Sequence, residues 1–486
     1  MRTGRLTGTP LFAACIAALG VAVAAQGRGG QNWTTAGADA QRSAWIKNDP
    51  KISRETMQKP GFRFLWKAKL DNQSRHSNSL TPALLLGNII SYKGFKALAY
   101  VGGSSDVVYS IDYDLNRMFW TRRLTPAPGS GTSAQCPGGL TAITRVTPLR
   151  QPGRGSPPAV SSPPPARAAG PGGPIVNGNI PLAVYAIDSS GLAHMLNPQT
   201  GEDMVAPVKL FGPNAKVVGA VYVDNVLYAA TADNCGNVPN GVWAVDFSTA
   251  ARTVTRWETK GASIVGNAAP AAGNDGLIFA ATSDGEIVAL EPRTLALKDS
   301  FSAGKAPFVT GPVVFFRDGK DFVAAANKDG RVYLLDAASL GGANHQTPLA
   351  RSEPIAGGAG ASALATWEDN DGTRWILAPS AGRIISFKVI DQNGAVALQQ
   401  GWSSRDIASP GAPIVINGVV FAFASGDSRT PAVLYALDGA TGKELWTSGN
   451  TITSFVDSGG LSGLDSQVYV GTHDNTLYAF GVPMEH

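Results

Sequence analysis

One twelve-residue stretch, Tyr435-Ala436-Leu437-Asp438-Gly439-Ala440-Thr441-Gly442-Lys443-Glu444-Leu445-Trp446, recurs along this chain in stronger and weaker copies. An alternating apolar strand runs into an Asp-x-x-Thr-Gly turn, and a second strand delivers a tryptophan. The frame returns at Ser110-Ile111-Asp112 with Trp120, at Ala244-Val245-Asp246 with Trp257, and at Ala289-Leu290-Glu291 with Thr294. Fainter copies fall at Met195, at Leu334-Leu335-Asp336, at Ser386 and at Ala479, so the anchors are spaced by 85, 49, 45, 45, 52, 50 and 43 residues. Eight copies at such a period predict a β-propeller. A lone amphipathic hairpin cannot bury both of its faces, so each copy should be a four-stranded antiparallel blade packed between two neighbours. Glycine and proline together supply 57 + 32 = 89 of the 486 residues, which argues further against a helix-rich fold.

The predicted fold is therefore all-β, an eight-bladed propeller. The last copy, Gln467 to Val470 and Thr476 to Phe480, has too few strands for a blade. The N-terminal strand Phe64 to Lys67 should complete it and close the ring, making Trp66 the outer-strand tryptophan of the last blade. Trp66, Trp120, Trp257 and Trp446 are expected to pack between blades. Asp112, Asp246, Asp336 and Asp438, with Thr441 and Gly442, should shape the turns beside them.

Residues 1–25 read as an export signal: Arg2 and Arg5, an apolar run from Leu11 to Val23, and small residues at Ala22-Val23-Ala24-Ala25. That run is too short to span a membrane, so a periplasmic or extracellular protein without a transmembrane anchor is expected. The propeller would occupy residues 26–486 as one domain, interrupted in its second blade by a segment at 151–174. There, 8 prolines and 5 glycines among 24 residues predict a flexible loop. With 40 basic against 36 acidic residues the chain shows no footprint of a nucleic-acid partner.

Export allows disulfides, and Cys136 and Cys235 remain after the leader. Cys136 falls in the connection from blade 1 to blade 2, and Cys235 in the turn between the second and third strands of blade 3. Both belong to one face of the ring, the funnel face, so a bridge is predicted. Two unpaired thiols are the alternative. The five histidines, His76, His194, His345, His473 and His486, stand singly without metal-ligand spacing and read as solvated or packed side chains.

The Ala-x-Asp-x-x-Thr-Gly-x-x-x-Trp frame resembles the tryptophan-docking repeat of the quinoprotein alcohol dehydrogenase family, eight-bladed propellers that bind pyrroloquinoline quinone (PQQ). The likeness runs from Trp33 to the C-terminus, and Trp33 to Trp66 is similar to that family's opening segment. The resemblance implies that Lys328, in Asn327-Lys328-Asp329-Gly330, contacts a quinone at the funnel, and that Asn234, after Thr231-Ala232-Asp233, ligates Ca2+. Asn327-Lys328-Asp329-Gly330 is equally a good hairpin turn. An extra residue precedes Asn234, and the family's Trp-Asp-x-Asp motif with its catalytic base is missing from the stretch around Asp299. The adjacent cysteine pair of those enzymes and any Cys-x-x-Cys-His are absent too. Similar propellers include an assembly lipoprotein that binds no quinone. The leading reading is thus a monomeric binding or assembly module with a protein or polymer partner at the funnel face and a degenerate quinone pocket. The alternative is a divergent PQQ- and Ca2+-dependent alcohol or sugar dehydrogenase.

Overall fold

The structure, a computed structural model, describes residues 32–91, 94–125, 133–147, 183–457 and 459–483. Residues 1–25, expected to be an export signal, and the Pro/Gly-rich segment at 151–174 lie outside them. Eight four-stranded antiparallel sheets form the ring. Blade 1 holds Leu84–Ser91, Gly94–Gly103, Val107–Asp112 and Arg117–Arg123, and blade 2 holds Ile143–Arg145, Val184–Ile187, Leu192–Leu196 and Val208–Lys209. Blade 3 holds Lys216–Val223, Val226–Ala232, Gly241–Asp246 and Val254–Glu258, and blade 4 holds Ala271–Ala272, Ile278–Ala281, Glu286–Leu290 and Leu297–Ser302. Blade 5 holds Val313–Arg317, Lys320–Ala326, Val332–Asp336 and Ala350–Arg351, and blade 6 holds Ala365–Glu368, Arg374–Pro379, Ile384–Gln392 and Ala395–Ser403. Blade 7 holds Ile414–Ile416, Val419–Ala424, Val433–Asp438 and Glu444–Thr447.

Blade 8 has Leu461–Leu464, Gln467–Gly471 and Thr476–Gly481 from the C-terminus, and its outer strand is Arg63–Lys69, with Trp66 opposite Ala479. The ring is thus closed by an N-terminal strand. Second strands such as Val226–Ala232 are buried along their whole length, because neighbouring blades cover both faces. Such strands read as continuous apolar runs. Outer strands such as Arg117–Arg123 face solvent and carry the charges.

The repeat signature is the device that locks one blade to the next. Trp120 donates its indole N–H to the Pro198 carbonyl at 2.9 Å and lies over Gly201 of blade 2. Trp402 of blade 6 does the same to blade 7, donating to the Gly439 carbonyl at 2.8 Å with its ring over Gly442. Trp446 packs edge-on against Phe62 at 4.9 Å and Trp257 joins the cluster holding Leu290 and Leu295 of blade 4, whereas Trp66 packs at 5.9 Å on Tyr469 of its own blade, which in turn meets Tyr113 of blade 1. The turn aspartates accept backbone N–H groups ahead of them: Asp438 from Ala440 at 2.9 Å, Asp246 from Ser248 at 2.8 Å, and Asp336 from Ala338 at 2.9 Å. Asp112 makes a longer bond of 3.4 Å from Leu115. These are side chains closing turns rather than binding a ligand.

A second closure device runs along the axis. From Trp33 to Asp49 the chain meets each blade in turn, starting with a bridge from Trp33 to Leu85 of blade 1. The Thr34 carbonyl accepts from Arg145 of blade 2 at 2.8 Å, and the Thr35 hydroxyl donates to the Ala220 carbonyl of blade 3 at 2.8 Å. Carbonyls of Ala40, Gln41 and Ser43 accept from Ala272, Val314 and Thr366 of blades 4, 5 and 6. Trp45–Ile46 pairs in parallel with Ile414–Ile416 of blade 7, and Asp49 accepts from Ser466 of blade 8 at 2.8 Å. The inner strands of a propeller leave backbone donors and acceptors facing the channel, and this strap satisfies them.

Candidate functional site: the axial funnel

The strap floors a funnel on the face made by blade-to-blade connections and second-to-third turns. Its cavity has a volume of about 460 Å³, with Gly37, Arg42 and Ala44 below and connections such as Gly360–Leu364 and Ser409–Ile414 around it. Most of the lining is alanine, glycine, serine and proline, and among the described residues its only ionisable side chains are Arg42 and Asp457. Both are engaged. Arg42 is 2% exposed and donates to the carbonyls of Pro270, Ala36 and Ala220 and to the Thr35 hydroxyl at 2.6–3.0 Å. Burial pulls its pKa below the ordinary value, while nearby Asp39 opposes that shift. Asp457 accepts from the Ser79 hydroxyl at 3.0 Å and lies 2.7 Å from Nδ1 of His473, whose ring stacks on Phe455 at 4.5 Å.

On the same face Cys136 and Cys235 form a disulfide with a Cα–Cα distance of 5.5 Å. It ties the connection between blades 1 and 2 to the second-to-third turn of blade 3. Beside it Asp233 meets Lys216 at 2.7 Å and accepts from the Ser263 hydroxyl at 2.8 Å. Burial alone would raise the Asp233 carboxyl, but these bonds hold it below the usual range.

Lys328 occupies a second-to-third turn, that of blade 5, where its backbone N–H bonds the Pro307 carbonyl at 2.8 Å. Its side chain is exposed and is not part of the funnel lining. Asn327 is buried, and its side-chain carbonyl accepts from the Arg331 N–H at 3.0 Å, so that amide oxygen is spent on the hairpin. Gly330, at φ 79°, completes that turn. Asn234 is exposed in a left-handed conformation, φ 49°, in the loop that Cys235 anchors two blades from Lys328. Asp299 sits on the outer strand of blade 4 and accepts from Leu340 N–H at 2.8 Å, a tie to blade 5. The funnel residues that sequence reasoning missed are Arg42 and Asp457. Neither belongs to the repeat: the strap carries Arg42 and the connection between blades 7 and 8 carries Asp457.

Residues 240–482, half of the chain, match the family model described as outer membrane protein assembly factor BamB, a PQQ-like repeat propeller. The chain belongs to that PQQ-like propeller family. No curated protein matches its sequence. Among solved structures it is similar to the quinohemoprotein alcohol dehydrogenase from Comamonas testosteroni, at 14% identity and TM-score 0.58, covering 94% of this chain and 81% of that one. It is similar also to a europium-containing methanol dehydrogenase, at 12% identity and TM-score 0.61, over 93% and 98% of the two chains. BamB from Moraxella catarrhalis matches at 14% identity and TM-score 0.54, over 87% and 99%. At such identities these likenesses establish the PQQ-like propeller fold.

The residues that the resemblance assigns to PQQ and Ca2+ are not among those lining this cavity. Lys328 and Asn234 project from different turns outside the cavity lining, and Asn327 is held within its own turn. Among the described residues no group of three or more His, Cys, Asp or Glu is placed to hold a metal ion. Nor is any described helix long and apolar enough to cross a membrane.

Proposed function

We propose that the protein is an exported binding or assembly module working in the periplasm or outside the cell, with the funnel face as its recognition surface. One observation carries this reading: the funnel's ionisable side chains, Arg42 and Asp457, are both already engaged with neighbouring groups. A general base must reach the substrate proton, and among the described residues the lining offers a single carboxylate, Asp457, already paired with the Ser79 hydroxyl and the His473 ring. Small side chains and connecting loops instead shape a concave surface that a partner can enter.

Two measurements test the reading. PQQ and Ca2+ added to the purified protein should leave its melting temperature unchanged and support no alcohol-dependent reduction of a dye; tight binding with turnover would restore the dehydrogenase reading. A photo-crosslinking amino acid placed at Ser409, in the funnel, should trap a partner in the producing cell. The same group at Lys298, on an outer strand, should not, and equal labelling at both positions would reject the funnel as the recognition surface.

A further inference from the structure

A sheet edge invites pairing unless charge, brevity or proline protects it. Seven of the eight outer strands here follow that rule. Blade 1 carries Arg117, Arg122 and Arg123, blade 8 carries Arg63, Lys67 and Lys69, and blades 3 and 4 carry Arg256 with Glu258 and Lys298 with Asp299. The short outer strands of blades 2, 5 and 7 carry Lys209, Arg351 and Glu444. Blade 6 is the exception. Its outer strand, Ala395–Ser403, is 9 residues long and contains no charged residue and no proline. It is the last strand of its sheet, with Ala395, Gln399 and Gln400 exposed.

A cavity of about 650 Å³ adjoins the end of this strand. The neighbouring outer strand, in blade 5, is only Ala350–Arg351. Gln400 and Ser403 of the edge strand line it, with Ile355, Ile385 and Ile407 behind and the Arg383–Asp406 ion pair beside it.

We propose that the outer edge of blade 6 binds an uncharged, extended polypeptide segment of a partner protein, which adds a fifth strand and places one apolar side chain in the cavity between blades 5 and 6. Backbone hydrogen bonds along the edge supply affinity and the cavity supplies selectivity. A neutral strand suits the occupant, since no charge on the edge would pair with one brought to it. A second copy of this chain is the weaker occupant. Two such edges would meet over about 30 Å by about 10 Å per copy, on the order of 600 Å² in total. That is half of the roughly 1,200 Å² at the low end of stable interfaces, and it leaves the cavity unused. No residue of the edge strand lines the funnel, although the two cavities share Ser380, and the inference stands or falls separately from the function proposed above.

The probe is a capped nine-residue peptide of alternating threonine and valine with a central leucine, used with the full-length mature protein in a calorimetric titration. Its affinity should fall at least about tenfold when alternate backbone amides are N-methylated and again when the leucine becomes alanine. Ala395→Lys combined with Gln399→Lys changes two exposed positions, and it should weaken binding by a similar factor while the circular-dichroism melt stays unchanged. No binding up to about 1 mM, or equal affinity for the plain and N-methylated peptides, overturns the proposal. So does sedimentation showing a dimer that the double lysine variant dissolves, because the edge is then occupied by a second copy.

Discussion

His194 shows how one side chain can bind two blades. It lies on the third strand of blade 2, 3% exposed, with Nδ1 2.9 Å from Asp203 and Nε2 3.4 Å from Asp188. Blade 1 reaches the same cluster through Thr125, which donates to Asp188 at 2.6 Å, and through Arg122, 3.6 Å from Asp203. Burial by itself would push the imidazole pKa down, but the bonds to Asp188 and Asp203 outweigh it and raise the value to about 9. A pKa raised on folding adds stability that is complete below the unfolded value near 6.5 and disappears as pH rises through about 9. Urea unfolding from about pH 6 to pH 10 should therefore lose on the order of 3 kcal/mol that His194→Gln does not lose. An identical pH slope in both proteins would show that the carboxylates do not hold the proton. Arg42 makes a second residue-scale case. Arg42→Ala strands the buried carbonyl of Pro270, leaves that of Ala220 to the Thr35 hydroxyl alone, and should cost about 2 to 3 kcal/mol in the same assay.

Between neighbouring blades, the turn and the tryptophan act as a pair. Gly442 has φ 71°, and a Cβ built there would come within 2.4 Å of the Trp402 ring. Gly442→Ala thus adds left-handed strain to a steric conflict with the ring, together about 2 to 5 kcal/mol. Gly418, also at positive φ but 3.8 Å from its nearest neighbour, makes the control, because Gly418→Ala should cost only the backbone strain. Equal losses of melting temperature in the two variants would remove the docking account. Trp402 itself went unrecognised in the repeat because the blade 6 hairpin is long. It follows its anchor Ser386 by 16 residues, where Trp446 and Trp120 follow theirs by 10.

At the level of the whole ring, closure is made twice, once at the rim by Arg63–Lys69 and once at the axis by the strap. Deleting residues 60–70 removes the rim closure and exposes the sheet edge of Thr476–Gly481. It should abolish most of the roughly 5 to 15 kcal/mol typical of a domain, and an unchanged melting temperature would refute this role. The disulfide spans 99 residues of sequence, a loop whose closure is worth up to about 4.7 kcal/mol in a chain-entropy account. Cys136→Ser with Cys235→Ser should lower stability by a sizeable part of that. Mass measurement of the denatured, alkylated protein should show Cys136 and Cys235 unlabelled before reduction and both labelled after it.

What sequence alone determined is whatever repeats or pairs locally. The anchors placed all eight blades, because each blade must solve the same burial problem and solves it with the same residues. Ring closure at Trp66 followed from counting strands, and the cysteine pairing from knowing which turns share a face. Strand lengths were less legible: the first strand of blade 2 is only Ile143–Arg145, and no anchor marks its ends. The funnel was not legible at all. Its floor comes from a single non-repeating segment whose partners lie far along the chain, as with Thr35 and Ala220, separated by 185 residues. No local pattern encodes such a contact, since the strap takes its shape from inner strands that exist only once the ring has formed. Lys328 could be read as a ligand contact or as part of a hairpin turn, and the local motif served either. Its position outside the funnel lining was decided by the tertiary structure, because only the assembled ring determines which way a turn points.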